Sequence, residues 1–357
     1  MKRRIKNLVL TATSVLVAGS YTFAGNGDRI GSAGATELLI NPWARSAAYG
    51  DAGVSCAEGI DAIYMNIAGL AFTSKTQIRF DRSIWLGGAG VTINSAGLAQ
   101  RISENGVISL AIMSMGFGDI DITTVDLPEG GIGQFSPTYS NFNVGYARTF
   151  SNSIYGGINF KVVNEAIANM RGTGIAIDAG IRYVTGERDQ VKFGITLKNV
   201  GPPISFKGDG LAIQMQYPNS TDLATLEQRS AGFELPSLLA IGASYDFKTS
   251  ETSELTVSGN FTANSFSNDQ FALGLNYGMD VKKAAFNVMA GYVYEKGIWK
   301  SDFSFGSRVT ALMGFTAGVS VDAILGKKKN LIGIQYAYRH TYQFNGVHTI
   351  GISVEIK

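Results

Sequence analysis

Val347-His348-Thr349-Ile350-Gly351-Ile352-Ser353-Val354-Glu355-Ile356-Lys357 ends the chain, and its alternation decides the fold class. Successive side chains on a pleated strand point to opposite faces. One face here carries Ile350, Ile352, Val354 and Ile356, and the other carries Thr349, Gly351, Ser353 and Glu355. The same period recurs upstream. Ile332, Ile334, Tyr336 and Tyr338 oppose Gly333, Gln335, Ala337 and Arg339. Phe271, Leu273, Leu275, Tyr277 and Met279 oppose Gln270, Ala272, Gly274, Asn276 and Gly278. Segments 174–183 and 239–247 repeat it. In a soluble sandwich the polar face would carry many Lys, Glu and Thr. Here it is mostly Gly, Ala, Ser and Asn. That arrangement suits a closed barrel in lipid, with aliphatic rows outward and a polar, partly filled interior. Aromatic residues such as Tyr183, Phe247 and Tyr294 end the apolar rows, as an interfacial girdle would require.

The composition agrees. Of 357 residues, 44 are Gly and 7 are Pro, and only 16% are charged, fewer than the roughly 25% usual in soluble domains. The 30 basic and 28 acidic residues balance too evenly for a nucleic-acid binder, and 45% apolar content excludes a disordered chain. One Cys excludes a disulfide framework. Mean hydropathy of +0.10, without a second long apolar run, excludes a helical membrane protein.

Strands are expected to begin near 77, 91, 107, 138, 154, 173, 190, 236, 254, 269, 285, 310, 331 and 347, giving an all-β, closed antiparallel transmembrane barrel of about 14 strands. With both barrel ends in the periplasm, 102–106, 151–153, 186–189, 249–253, 282–284 and 325–330 are short periplasmic turns. The long connections 117–137, 164–172, 201–235 and 297–309 then face outward, the usual asymmetry of such barrels. Asp302-Phe303-Ser304-Phe305 is either an extra strand, which the even-number rule disfavours, or strand projecting above the membrane.

Residues 1–24 read as a signal peptide. Lys2, Arg3, Arg4 and Lys6 precede an apolar stretch, Leu8 to Ala18, and Thr22-Phe23-Ala24 offers a cleavage site. Export would leave Cys56 as a lone, buried small apolar residue. Residues 25–76 do not alternate. Asp61 is expected to cap a helix whose first turn is Ala62 to Met65, with Gly69 as its stop. Leu38, Ile40, Trp43, Ile63, Met65 and Leu70 need burial, so 25–76 is expected to plug the barrel formed by 77–357.

The run Ala44-Arg45-Ser46-Ala47-Ala48-Tyr49-Gly50-Asp51-Ala52-Gly53-Val54, then Asp61-Ala62 and Asn66-Ile67-Ala68-Gly69-Leu70-Ala71, resembles the opening signature of the PorV/PorQ proteins. The resemblance continues at Leu197-Lys198-Asn199-Val200-Gly201-Pro202-Pro203-Ile204, at Leu235-Pro236 and at Ile241-Gly242-Ala243-Ser244-Tyr245-Asp246-Phe247. It covers most of the mature chain, with strong matches only in these blocks. Ile67 stands where the family usually has proline, and Met65 where it commonly has tryptophan. The resemblance implies a fourteen-stranded barrel similar to FadL-type fatty-acid channels. It also implies a part in type IX secretion, where PorV-like barrels pass cargo from a translocon to a surface sortase and PorQ-like ones hold partner proteins at the surface. Arg45, Gly50, Asp51, Gly53, Asp61, Asn66, Gly69 and Leu70 are the plug residues that match the signature.

No enzyme constellation and no cofactor or metal pattern emerges. Gly87-Gly88-Ala89-Gly90 and Gly130-Gly131-Ile132-Gly133 lack the following helix of a phosphate loop and read as turns. His340 and His348 flank the turn at Asn345-Gly346 without a third ligand and read as solvated. Lys327-Lys328-Lys329 reads as a solvated turn. Lys161, Asp178, Arg182, Asp246, Arg339 and Glu355 fall on lumen rows, where they either line a pore or form ion pairs that anchor the plug; charges there need partners, so anchoring is preferred, with Lys161, Asp178, Arg182, Asp246 and Arg339 as its candidates. Loop 201–235, with a short helical signal from Thr221 to Gln228, and loop 117–137 form the candidate docking surface, through Phe117, Leu127, Phe135, Tyr217 and Leu226. The functional expectation is a non-enzymatic outer-membrane barrel that binds secreted cargo or partner proteins, including type IX translocon or sortase components. The alternative is a FadL-like transporter of hydrophobic small molecules.

Overall fold

The computed structural model describes residues 27–216, 222–302, 308–326 and 330–357. The expected signal peptide 1–24, the lysine run 327–329 and Tyr217 lie outside them, as does most of Asp302-Phe303-Ser304-Phe305.

Fourteen long strands form the wall among the described residues. They are β1 (Thr76–Trp85), β2 (Val91–Arg101), β3 (Gly106–Gly116), β4 (Thr138–Thr149), β5 (Ile154–Ile167), β6 (Met170–Thr185) and β7 (Val191–Val200). Then follow β8 (Leu238–Lys248), β9 (Ser253–Asn264), β10 (Gln270–Val281), β11 (Ala284–Glu295), β12 (Leu312–Leu325), β13 (Asn330–Thr341) and β14 (Val347–Ile356). Each pairs antiparallel with its chain neighbour, and β1 also pairs with β14, so the sheet closes and keeps no free edge. Closure is what a sheet in hydrocarbon requires, because an open edge would leave backbone N–H and C=O groups without partners.

The two faces sort as the alternation requires. On β14, Ile350 and Ile352 stand outward while Thr349 and Gly351 are buried. Ile78, Phe80 and Ile84 of β1, and Leu273, Leu275 and Tyr277 of β10, join this outward apolar surface. Tyr183, Phe247 and Tyr294 also point outward near strand ends. Inside, the small polar rows make a ladder of Ser and Asn. Asn159 Nδ2 donates to Asn143 Oδ1 at 3.1 Å, and Asn287 Nδ2 donates to Ser320 Oγ at 3.0 Å.

Two expected connections differ. The stretch 164–172 is not a long loop, because β5 and β6 run on to a two-residue turn at Ala168 and Asn169. Ala168 takes φ 47° there, and β5 stays paired with β4 as far as Ala166. The helical signal from Thr221 to Gln228 is also overturned. Thr221 lies outside the described residues, and Leu223–Glu227 is a strand paired with Ala212–Gln216. With no apolar surface for a helix face to cover, cross-strand hydrogen bonds win over weak local propensity.

The N-terminal segment fills the lumen. Its elements are α1 (Ala44–Ala48), α2 (Asp61–Tyr64) and a 3-10 turn, Ile67–Phe72. Helix α1 lies against β12 and β13, and the 3-10 turn lies against β4, β5 and β6. Trp43, Ile60, Ile63, Ile67 and Leu70 pack on wall residues Ala99, Val107 and Ala147. Asp61 is not the expected cap but the first residue inside α2, whose cap position is Ile60. Gly69 is not a helix stop but lies within the 3-10 turn, where a Cβ would run into the Ala57 carbonyl.

Inward glycines bring wall and plug backbone together. A Cβ at Gly291 of β11 would meet backbone atoms of Tyr49 and Gly50, one at Gly194 of β7 the Val54 carbonyl, and one at Gly318 of β12 the Ala48 side chain. Gly50 itself adopts φ +73° against Gly291. Much of the glycine excess thus marks where the plug touches the wall. Gly291→Val is expected to lower the unfolding free energy by about 1–3 kcal/mol through overpacking. Ala290→Val, on the outward face of the same strand, should leave it unchanged, with both read from thermal unfolding of the detergent-purified protein.

Candidate functional site

Arg79 of β1, buried at 2% exposure, links plug to wall. One guanidinium nitrogen donates to Asp61 at 2.5 Å, while Nε and the other terminal nitrogen donate to Asp81 at 2.8 and 3.0 Å. The two carboxylates also receive the free N–H groups that open α1. Ala44 N–H donates to Asp81 at 2.6 Å and Ser46 N–H donates to Asp61 at 3.0 Å. Helix N-termini present such unpaired donors to anions. Three buried charges and a helix start therefore satisfy one another.

Further anchors surround the plug. Asp51 accepts from Arg339 of β13 at 3.0 Å and from Asn41 Nδ2 at 2.6 Å. Arg182 of β6 donates to the Ala57 carbonyl and to Glu58, both at 3.1 Å, and stacks over the Phe72 ring. Asn66 Nδ2 ties the Val54 carbonyl at 2.9 Å to the Ile181 carbonyl of β6 at 3.1 Å. Leu70 is fully buried, and Gly53 lies against the Tyr49 hydroxyl. Arg45 is half-buried and faces an inner cavity.

The five candidate anchors divide. Arg182 and Arg339 bind the plug. Lys161 and Asp178 pair with each other across the wall at 2.6 Å, and Asp246 pairs with Lys192 of β7 at 2.5 Å. Their polar partners among the described residues are wall groups, because neighbouring strands bring opposite charges closer than the plug does. Arg79 and Asp81 escaped the sequence reading, although Ile78, Phe80 and Ile84 mark the outward row of β1 and so put both in the lumen. Glu355 accepts from Ser74 Oγ at 2.6 Å near the chain end of the wall. His340 and His348 bond Tyr338 and Tyr336 at 3.2 and 2.8 Å.

The plug separates two cavities. The inner one, about 440 Å³, is polar and is bordered by Arg45, Glu58, Gln77, Lys192, Glu254 and Glu355. The outer one, about 260 Å³, is bordered by Ile40, Trp85, Ala272, Val293, Ile298, Leu312 and Phe315. A side chamber of about 120 Å³ adjoins it, bordered by Leu39, Tyr64, Met65, Lys198 and Leu238. Tyr49 borders the inner cavity, while its chain neighbours Gly50 and Asp51 border the outer. Beside the outer cavity the register between β12 and β13 shifts between Leu312 and Thr316, and Gly314 takes φ +84°. Phe315 projects from this irregularity onto Tyr292 and Trp299, at centroid distances of 4.8 and 5.8 Å.

The outer loops carry exposed apolar side chains. Val125 is 99% exposed, and Leu127 and Leu226 are about half exposed at 49% and 46%. Phe117 and Phe135 are half-buried, Phe117 against the cluster of Leu38, Ile93 and Met115.

Cys56 is half-buried rather than fully enclosed, and faces the inner cavity. Burial pushes its thiol above the ordinary range, with Arg182 and Lys192 pulling partly the other way.

No protein-family profile matches the chain, and no curated protein matches it. Solved structures do match. The chain is similar to the CymD monoaromatic hydrocarbon channel, with TM-score 0.54, 11% identity and coverage of 89% of this chain and 98% of that one. It is similar to the Ralstonia pickettii toluene transporter TbuX, with TM-score 0.55, 11% identity and the same coverage, 89% and 98%. A Pseudomonas aeruginosa FadL homologue gives TM-score 0.56, 9% identity and again 89% and 98% coverage. The fold is therefore that of the FadL-like outer-membrane barrels.

Two outcomes test the anchoring. Arg79→Met strands two buried carboxylates and is expected to destabilise the protein by about 3–5 kcal/mol. Adding Asp61→Asn and Asp81→Asn should recover most of that loss in thermal unfolding. Cys56 reports on plug closure. A maleimide should react with it more slowly in native than in heat-unfolded protein. Because the raised thiol titrates late, the native rate should still climb at pH values where a free cysteine has levelled off.

Proposed function

We propose that the chain is a non-enzymatic outer-membrane barrel that takes up small hydrophobic molecules through its outer cavity. The observation that carries this reading is the apolar chamber of about 260 Å³, walled by Ile40, Val293, Ile298, Leu312 and Phe315 and closed below by the anchored plug. Apolar chambers with a few convergent polar groups are the usual form of small-molecule sites. The fold neighbours described as hydrocarbon channels and a toluene transporter support it. A molecule entering there meets Gly50 and Asp51 and can proceed only if the layer around them moves.

Proteoliposomes carrying the protein should accumulate a neutral monoaromatic hydrocarbon faster than empty ones. Ala272→Trp, which fills the outer cavity, should bring uptake close to background. Uptake unchanged by Ala272→Trp would sink the route. A planar bilayer should show no steady ionic conductance, since the plug closes the lumen.

A second reading rests on a different observation. Val125, Leu127, Met215 and Leu226 expose apolar surface on two outer hairpins, as a protein-docking face would. The PorV/PorQ-like residues of the plug favour a role in type IX secretion, with secreted cargo, translocon or sortase components as partners. Shortening loop 201–235 should then remove co-purifying protein while leaving heat-modifiable barrel migration intact.

A further inference from the structure

We propose that Glu37 of the plug and Glu165 of β5 together hold a calcium-class divalent cation, with Asn141 and Tyr139 of β4 supplying further oxygens. The ion fastens the plug to the wall near the hairpin of β5 and β6, whatever the barrel carries.

Glu37 lies in a 3-10 turn, Thr36–Leu39, of the plug. Glu165 stands on the inward row of β5, directly opposite Tyr139 in the register with β4. The turn is pressed onto that spot, because Ala35 and Leu38 pack in one cluster with Tyr139 and Val163. The two carboxyl groups come within hydrogen-bond distance of each other, and the Ala35 N–H is a further partner of Glu165. Neither carboxyl has an ion-pair partner among the described residues. Lys161 is taken by Asp178 at 2.6 Å and Asn199 at 2.8 Å, and Lys198 stands 3.6 Å from the Tyr64 ring centroid. Arg171, beside the Gly172 that faces Glu165, lies on the exposed outward row with Lys207 as its neighbour. Two carboxylates this close cannot both stay ionised unless a proton or a cation sits between them.

Two buried oxygens favour the cation. Tyr139 is 1% exposed and Asn141 6%, and neither the Tyr139 hydroxyl nor Asn141 Oδ1 has a hydrogen-bond partner among the described residues. A shared proton would satisfy the carboxyls and leave both of these atoms unpaired, at a cost that native proteins avoid. Both belong to the same spot. Tyr139 is the cross-strand neighbour of Glu165, and Asn141 and Glu37 border one small cavity of about 30 Å³, room for an ion or a water. Lys161 borders that cavity too, with its ammonium already on Asp178 and Asn199. Every donor is an oxygen. Such a set suits Ca²⁺, which accepts about six to eight oxygens in flexible geometry, waters among them. Glu37 and Glu165 are half-buried, so water can complete the shell. With only two carboxylates, the expected dissociation constant is about 10⁻⁴–10⁻³ M.

Thermal unfolding of the detergent-purified full chain, stripped with EDTA and dialysed to about pH 7.5, tests the site. Calcium chloride at about 10 mM should raise the midpoint by about 2–5 °C over sodium chloride at about 30 mM, which has the same ionic strength. In Glu165→Gln the calcium effect should vanish. Without calcium that variant should be at least as stable as the wild type, because one of two crowded carboxylates is gone. A merely structural glutamate would instead lower the midpoint in both salts. Heat-modifiable migration checks folding, and should Glu165→Gln not fold, Glu37→Gln gives the same comparison. No calcium shift in the wild type, or an equal shift in the variant, overturns the proposal. A wild type stabilised at about pH 6 but indifferent to calcium shows that the pair holds a proton, and overturns it as well.

Discussion

The guanidinium of Arg79, clasped between Asp61 and Asp81, joins wall and plug into one structure. Neither part is self-sufficient at that point. Without the plug, β1 would present an arginine and an aspartate to an empty lumen. Without the wall, α1 would begin with unsatisfied N–H groups. Buried charges are expensive alone and tolerable only when each has partners. That condition fixes the depth and rotation of the plug, because Ala44 N–H must reach Asp81 while Ser46 N–H reaches Asp61 and Asp61 reaches Arg79.

The lipid imposes the complementary constraint. Every wall N–H and C=O must be paired within the sheet, so the sheet closes. Closure leaves a lumen, which some barrels fill with water and this one with its N-terminal segment. Large side chains on the inward rows would hold that segment away, and glycine lets its backbone approach. Composition, closure and plug thus have one physical origin.

The same packing forms the boundary between the two cavities. The segment at Tyr49, Gly50 and Asp51 is held by Arg339, by Asn41 and by Asn260, whose amide donates to the Asp51 carbonyl at 2.7 Å. The Arg79 cluster lies close by, because β1 is separated from the Arg339 strand only by β14, and Asn41 and Ser46 link Asp51 to Asp61.

The sequence by itself determined the barrel. Period-two rows such as Ile350, Ile352, Val354 and Ile356 state which face meets lipid, since a strand can only alternate, and the even strand number follows from both ends lying on one side. It also showed apolar residues between 38 and 70 that do not alternate and need burial, and charges on the inward rows. Tertiary structure decided how those charges pair. Lys161 meets Asp178 and Asp246 meets Lys192, while Arg339 reaches 288 residues back to Asp51, because pairing depends on strand register and plug depth. Local signals failed where long-range contacts outweighed them, as at Asp61, whose carboxylate serves Arg79 and α1 instead of its own helix.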